Sequence, residues 1–414
     1  MQGPANNLPL IPAPAERRIA MRVTPAAERA LRQGHPWLFA EAVQQQSHEG
    51  QPGDLAVIFD HQRRFLAIGL YDPTSPIRVR ILQHRKPAMI GPEWFAKKIA
   101  AAAQIRAALP AETNGYRLIH GENDGLPGVV IDRYAQSIVI KIYTPAWIPY
   151  LPELIPILQG TANPERIILR LSREVIQQTE FLHQLKDGSV IWGTAPQGPV
   201  LFQENGITFE ADLLCGQKTG FFLDQRENRA RVEKISQGKR VLNVFAYTGG
   251  FSLYAARGGA REVTSLDLSH LALEAAQRNF AHNQAHPAIA ACRHHLSVGD
   301  AFSLMENFAN AHQQFDIVVI DPPSFAKSQA EIDKALRAYQ HLTRLGLAIL
   351  SPGGVLVQAS CSSRVNKDLF FEAVLRTARQ AGRPLTEIER SGHALDHPVG
   401  FREGEYLKCL FARG

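Results

Sequence analysis

Residues Val241–Ser269 read "VLNVFAYTGGFSLYAARGGAREVTSLDLS". An apolar run breaks into a Thr-Gly-Gly turn, an alanine-rich segment follows, and a second apolar run closes on an acidic residue. That is strand, glycine turn, helix and strand, the opening unit of a parallel sheet. Gly249 and Gly250 carry no Cβ, so the backbone there can approach a ligand closely. Asp267 lies eighteen residues beyond Gly249, at the end of the second run. A carboxylate at that point can accept both hydroxyls of a ribose.

The alternation continues to the C-terminus. From Val200 to Gly414 the segments "RVLNVF", "GGFSLYAARGG", "EVTSLDLS", "HLALEAAQRNFAHN", "FDIVVIDPPSF", "KALRAYQHLTRLGLAIL" and "GGVLVQASC" follow one another. They predict an α/β, Rossmann-like domain: a mostly parallel sheet with helices on both faces. Such a sheet binds its ligand outside the carboxyl ends of the strands, where the strand order reverses. The dehydrogenase fingerprint G-x-G-x-x-G, which seats a pyrophosphate, is absent; the turn reads "AYTGGFS". The run "VVIDPPSF" ends a strand on two prolines, which fix φ and supply no N–H. It offers carbonyls, the Asp321 carboxylate and the Phe325 ring, a set that suits a planar nucleobase better than a nicotinamide.

Three further zones precede this one. The lead-in, residues 1–16, holds four prolines and no basic segment followed by an apolar one, and is expected to be disordered rather than a secretory signal. Residues 17–86 read as short alternating strands, "RIAMRV", "GDLAVIFD", "RFLAIGLYD" and "IRVRIL", which predict a small β-barrel or sandwich. Basic residues gather there: Arg63 and Arg64 on a hairpin-like turn, then Arg78, Arg80, Arg85 and Lys86. Taken alone, they read as a solvated strand face. Residues 87–199 mix a helix, "PEWFAKKIAAAAQIRAAL", with strands in no regular alternation, so α+β is expected. "GENDGLPG" within it reads as a structural polar turn between strands.

The chain has 414 residues, too many for one typical core, and a net charge of +6, which leans toward a polyanionic partner. No apolar run reaches the length of about 18 residues that a membrane span needs. Cys215, Cys292, Cys361 and Cys409 share no close spacing, which speaks against a disulfide framework or zinc cluster and fits a reducing cytoplasm. Cys292 stands near His294 and His295, but a metal site needs three or four converging ligands, and none is expected. Cys215 and Cys409 sit in apolar or strand-like settings and read as small core residues. Cys361 follows the apolar strand "GVLVQAS", so it should stand at a strand's carboxyl end.

The segments "NVFAYTGGFS", "SLDLS", "VGDAF", "IDPPSF" and "ASCSS" resemble the successive motifs of class I S-adenosylmethionine-dependent methyltransferases. "HPWLFAEAV", "SPIRVRIL", "YRLIHGENDGLPGVVIDRY", "GQKTGFFLDQRENR", "DHPV" and "EGEYLK" are similar, in the same order, to the 23S ribosomal RNA large-subunit methyltransferase I family, which forms 5-methylcytosine. The resemblance covers almost everything after Arg17. It implies an RNA-binding PUA domain over 17–86, a central α+β domain over 87–199 and a methyltransferase domain over 200–414, working in the cytoplasm on ribosomal RNA. It involves no metal or membrane, and allows a homodimer. It also turns the basic first zone into an expected RNA-contacting surface.

By the same resemblance, Asn243, Phe245, Tyr247, Thr248 and Gly249 would line the methionine end of S-adenosylmethionine. Asp267 would hold the ribose, Leu268 would cover one adenine face, and Asp300 would accept from the adenine amino group. Thr219, Asp224, Gln225 and Arg226 in "KTGFFLDQR" would close the pocket, although this segment also reads as a helix-entry cap. Cys361 is the expected nucleophile and Asp321, beside the cofactor, the group that holds the base, with Pro322, Pro323 and Phe325 against the RNA. Cytosine C5 is a poor nucleophile, and a thiolate added at C6 activates it. Another 5-methylcytosine class carries a second cysteine after this proline; Ser324 stands in that region, so the group that removes the C5 proton stays open. Two other readings remain: an N-methyltransferase of the N7-guanine type with no covalent step, and a non-catalytic RNA-binding factor.

Overall fold

The structure is a computed structural model that describes residues 5–326 and 328–414. The chain divides into two compact units: Met1–Gly206 with Ala211–Leu223 and Leu395–Phe401, and Ile207–Glu210 with Asp224–Ala394 and Arg402–Gly414. The two zones expected over 17–86 and 87–199 are therefore parts of one unit. Buried polar bonds join them: Thr144 Oγ1 donates to Asp72 Oδ2 at 2.6 Å and the Tyr150 hydroxyl to the Gly53 carbonyl at 2.8 Å.

In the first unit, strands Trp37–Phe39, Ile77–His84, Phe65–Tyr71, Leu55–Phe59, Ile19–Val23 and Val43–Gln46 form a six-stranded sheet in that order. Only Ile19–Val23 against Leu55–Phe59 is parallel. Period-two alternation buries Ile19, Met21 and Val23 while Ala20 and Arg22 face out. A five-stranded sheet follows, ordered Ser189–Gly193, Arg166–Leu171, Ser137–Ile142, Val129–Tyr134 and Gly115–His120. The helix Pro92–Arg106 starts on a proline, whose missing N–H costs nothing in the first turn, and buries Phe95, Ile99 and Ala102 in one stripe against Trp147 and Leu154.

Two expectations change here. The lead-in is tied down where it is described: Asn7 N donates to Ile191 O at 3.1 Å, Gly193 N to Ala5 O at 2.9 Å, and Asn7 Nδ2 to Gly193 O at 2.8 Å. Ser189–Gly193 is an edge strand, and its unpaired backbone groups accept the segment despite its prolines; residues 1–4 lie outside the described residues. The "DHPV" motif was expected in the methyltransferase domain, yet Leu395–Phe401 belongs to the first unit. Asp396 accepts there from Arg117 N at 2.8 Å, and its carbonyl accepts from Arg106 Nη2 at 2.9 Å. The "GENDGLPG" turn is structural: Asp124 takes a two-pronged ion pair from Arg106 at 2.9 and 2.6 Å, both side chains buried.

The second unit holds a seven-stranded sheet: β1 (Arg240–Val244), β2 (Glu262–Asp267), β3 (Arg293–Val298), β4 (Phe315–Ile320), β5 (Leu350–Ser360), β6 (Thr386–Ser391) and β7 (Lys408–Arg413). Its order is β3-β2-β1-β4-β5-β7-β6. Strands β1 to β5 run parallel, and β7 is antiparallel to both β5 and β6. Covered on both faces, β1 and β4 read as continuous apolar runs rather than alternating ones. Between β1 and β4 the order reverses, which opens a crevice at their carboxyl ends. No helix among the described residues is long and apolar enough to cross a membrane.

Candidate active site

The turn after β1 is strained. Phe245 and Tyr247 adopt φ of +61° and +48°, and Gly249 +79°. Left-handed backbone at bulky residues persists only where surrounding contacts over-determine it, and it gathers at ligand sites. The contacts are present: Ala246 N donates to Leu266 O at 2.9 Å, Gly249 N to Ala246 O at 2.9 Å, and Tyr247 N to the Asp267 carboxylate at 2.8 Å. A Cβ on Gly249 would stand 2.9 Å from that of Ala276. The turn thus needs glycine twice, for its φ and for its closeness to the helix His270–His282. Asp267 also accepts from Ser269 N at 2.9 Å, so two backbone donors orient its carboxylate and leave lone pairs for other donors. Beside it Leu268 is 74% exposed, a large apolar side chain with its face open.

Asn243 is buried on β1 and its amide nitrogen donates to Ser252 Oγ at 2.9 Å. From there a run of short bonds leads away: Ser252 Oγ to Ser265 Oγ at 2.6 Å, and Ser265 Oγ to His294 Nε2 at 2.8 Å. The Asn243 Oδ1 atom is buried with no partner, as is Thr248 Oγ1. Buried acceptors without donors are uncommon in native folds, and both stand at the crevice mouth where a ligand's polar groups can meet them. Asp300 is exposed and caps the helix Ala301–Asn310, accepting from Ser303 N and Oγ at 3.0 Å each. S-adenosylmethionine fits this set: a ribose-height carboxylate, an exposed apolar side chain, two unmet buried oxygens and a backbone turn that only glycine permits.

Asp224, Gln225 and Arg226 are buried where the helix Arg226–Lys234 begins. Gln225 occupies the capping position without a side-chain cap, accepting instead from Asn228 Nδ2 at 2.6 Å, and Asp224 accepts from the Tyr406 hydroxyl at 2.9 Å. Thr219 falls in the first unit, where its hydroxyl donates to Asp132 at 2.6 Å and meets the Tyr134 hydroxyl at 3.0 Å.

At the ends of β4 and β5 the structure brings Asp321, Pro322 and Cys361 together. Asp321 N donates to Val244 O at 3.4 Å, while the Cys361 thiol points at the Pro322 carbonyl, Sγ to O 3.8 Å. Cys361 is partly exposed, Pro322 buried, Pro323 exposed, and Phe325 packs 5.2 Å from Tyr339. Beneath Cys361, the Tyr339 hydroxyl meets Ser360 Oγ at 2.9 Å, and burial pushes the phenol well above its ordinary range. Lys408, opposite Ser360 on β7, is buried and donates to the carbonyls of Ser362 and Tyr406. The sequence reading missed Lys408 and Tyr339. A lysine inside the apolar run "YLKCLF" was the one local signal.

Among the other cysteines, Cys409 is buried as expected, and burial pushes its thiol well up. Cys215 is exposed, because its loop turns outward around Asp212, which accepts from the backbone of Leu214 and Cys215. In the first unit Arg63, Arg64, Arg85 and Lys86 are exposed, and Arg64 pairs with Asp60 at 2.9 Å. Arg78 is half-buried on the Pro73 carbonyl. Arg80 departs from the expected solvent-facing row: it is buried 3.6 Å from Asp72, and desolvation pulls its pKa down.

Comparison with known proteins agrees with this geometry. A family of S-adenosylmethionine-dependent methyltransferases matches residues 180–402, and a PUA-like domain matches residues 21–84. A ribosomal RNA large subunit methyltransferase of Deinococcus radiodurans is 47% identical over 406 residues, covering 97% of this chain and 98% of the relative. The ribosomal RNA large subunit methyltransferase I of Shewanella amazonensis is 37% identical over 399 residues, covering 95% and 99%. In fold, the crystal structure of SMU.776 complexed with SAH superposes with a TM-score of 0.80 at 24% identity, covering 96% of this chain and 100% of its own. With its sheet order, its strained glycine turn and near full-length likeness to these relatives, the chain belongs to the S-adenosylmethionine-dependent methyltransferases, in the family of ribosomal RNA large subunit methyltransferase I.

Proposed function

We propose that this chain methylates cytosine C5 in large-subunit ribosomal RNA, with Cys361 as covalent nucleophile. The observation that carries the reading is the 3.8 Å approach of Cys361 Sγ to the Pro322 carbonyl, which puts a thiol and the Asp-Pro-Pro segment at one crevice mouth. Bound S-adenosylmethionine supplies an electrophilic methyl group. Asn243, Phe245, Tyr247, Thr248 and Gly249 hold its methionine end, Asp267 and Leu268 its ribose and adenine face, and Asp300 its adenine edge. Asp224, Gln225 and Arg226 support the pocket wall. The Cys361 thiolate adds to C6 of the base, and the ring electrons that move to C5 make that carbon nucleophilic. Asp321 hydrogen bonds to the cytosine edge and favours that shift. Once C5 has been methylated, it loses its proton to a base, the C6–S bond breaks, and the thiolate leaves as aromaticity returns. Pro323 and Phe325 shape the wall against the base, with the buried Pro322 stiffening the segment behind them, and the exposed Arg63, Arg64, Arg85 and Lys86 offer charge for phosphates. A ribosomal RNA substrate puts this work in the cytoplasm.

The test is Cys361→Ala with radiolabelled cofactor and 23S RNA. Methyl transfer is expected to fall by at least about a thousandfold, as loss of a nucleophile usually entails, with cofactor binding retained. Unchanged turnover would leave the nitrogen-methylating mechanism standing. Bisulfite mapping of the RNA product reads the modified atom directly.

A further inference from the structure

Lys408, the first residue of β7, is 2% exposed, and its chain neighbours Leu407 and Cys409 are buried too. A buried ammonium is costly unless its protons are met, so a lysine in such a place calls for a reason. Two of the three N–H groups go to the Ser362 and Tyr406 carbonyls. Among the described residues no carboxylate lies within ion-pair distance of its Nζ. The pairing of β5 with β7 sets Lys408 against Ser360, so the ammonium lies beside the strand exit Ser360-Cys361-Ser362 and clasps its far side through the Ser362 carbonyl.

We infer that Lys408 is a positioning residue for Cys361, clasping the strand exit that aims the thiol and lending it the positive charge that favours the thiolate. The inference rests on the reading of Cys361 as nucleophile. Electrostatic coupling supports it: burial pulls the Lys408 ammonium down to about 8, and the charge of Cys361 is first among the influences that raise it again, followed by Glu405. Such coupling is reciprocal: a cation that a thiolate stabilises in turn favours the thiolate. Two described groups near the sulfur do not replace it. A carboxylate at Asp321, just past the end of β4, would oppose a thiolate rather than favour it, while Tyr339, from the helix Ile332–Ala348, stays neutral. A thiol at its ordinary pKa of about 8.5 is only a few per cent ionised at pH 7; a neighbouring cation increases that share.

The experiment follows iodoacetamide alkylation of the folded full-length protein from pH 6 to 10, with each cysteine read separately by peptide mass spectrometry. The rate at Cys361 should titrate below about 8.5, and in Lys408→Met its midpoint should rise so that the rate at pH 7 falls about tenfold. Cys292, which burial pushes up to about 11, serves as the internal control and should not move. Binding of S-adenosylhomocysteine by calorimetry checks that the variant is folded. A wild-type Cys361 that titrates at or above 8.5 overturns the inference without any variant; superimposable wild-type and Lys408→Met profiles overturn it as well. No RNA is present in this assay. Its failure is therefore distinct from failure of the Cys361→Ala turnover test.

Discussion

Lowering the pH from 7 to 5 should loosen the second unit through one side chain, His294. Its ring stacks on Phe280, centroids 3.7 Å apart, and its Nε2 ends the hydrogen-bond run from Asn243 through Ser252 and Ser265. Asn243 donates into that run, so Ser252 can donate to Ser265 and Ser265 to Nε2, and that last bond requires a neutral ring. Burial, with a smaller push from His295, depresses its pKa to about 4. In the unfolded chain a histidine titrates near 6.5, so below that pH the unfolded state takes up a proton that the folded state refuses. Stability from this group is complete above about pH 6.5 and drains away as the pH falls toward 4. At pH 5 the unfolded form gains a factor of about thirty, which is about 2 kcal/mol. Urea denaturation at pH 7 and pH 5 measures it, comparing wild type with His294→Gln, whose amide can meet Ser265 but does not titrate. The wild type should lose about 2 kcal/mol more than the variant between the two pH values. Equal losses would refute the assignment of the run's polarity and of His294 as a neutral acceptor. Because the folded ring stays neutral until the pH nears 4, cofactor affinity of the folded protein should hold over the same interval in wild type and variant alike.

Gly249→Ala should cost about 1–2 kcal/mol from its left-handed backbone alone, with more from crowding Ala276, read as a lower urea midpoint and at least tenfold weaker cofactor binding by calorimetry. Asp267→Asn keeps an oxygen for one backbone donor but loses the charge and one acceptor; cofactor affinity should fall about tenfold or more, roughly 1.4 kcal/mol, with little change in melting temperature. Arg106→Met should destabilise the first unit by about 3–5 kcal/mol, since it leaves the buried Asp124 carboxylate without its cation. Arg106→Met combined with Asp124→Leu should recover part of that loss in the same denaturation assay.

The sheet was legible because β1, β2 and β4 are short apolar runs ended by turn residues, and Asp267, Asp321 and Cys361 stand where those runs stop. Local pattern carries that much. It carries no information on which strands pair, and the antiparallel insertion of β7 between β5 and β6 is what brings Lys408 beside Cys361. Arg80 failed for a related reason: in "IRVRIL" strict alternation turns it outward, yet the strand is buried on both sides through its middle, and Asp72 and Glu122 receive the charge. The lead-in looked too proline-rich to order, but the open edge of Ser189–Gly193, far along the chain, supplies its partners. Cys215 sat in an apolar context whose direction only the fold settles.

The return of Leu395–Phe401 to the first unit bears on how the protein is made. Synthesis runs from the N-terminus, so the unit begun by the earliest residues lacks one of its pieces until nearly the whole chain has left the ribosome. Until then the Arg117 amide and a proton of Arg106 wait for Asp396. A nascent chain released early, or a truncation made before Leu395 for convenience, therefore leaves buried donors open in the half of the molecule farthest in sequence from the cut. Expression trials that trim the tail should show proteolysis in the N-terminal half first.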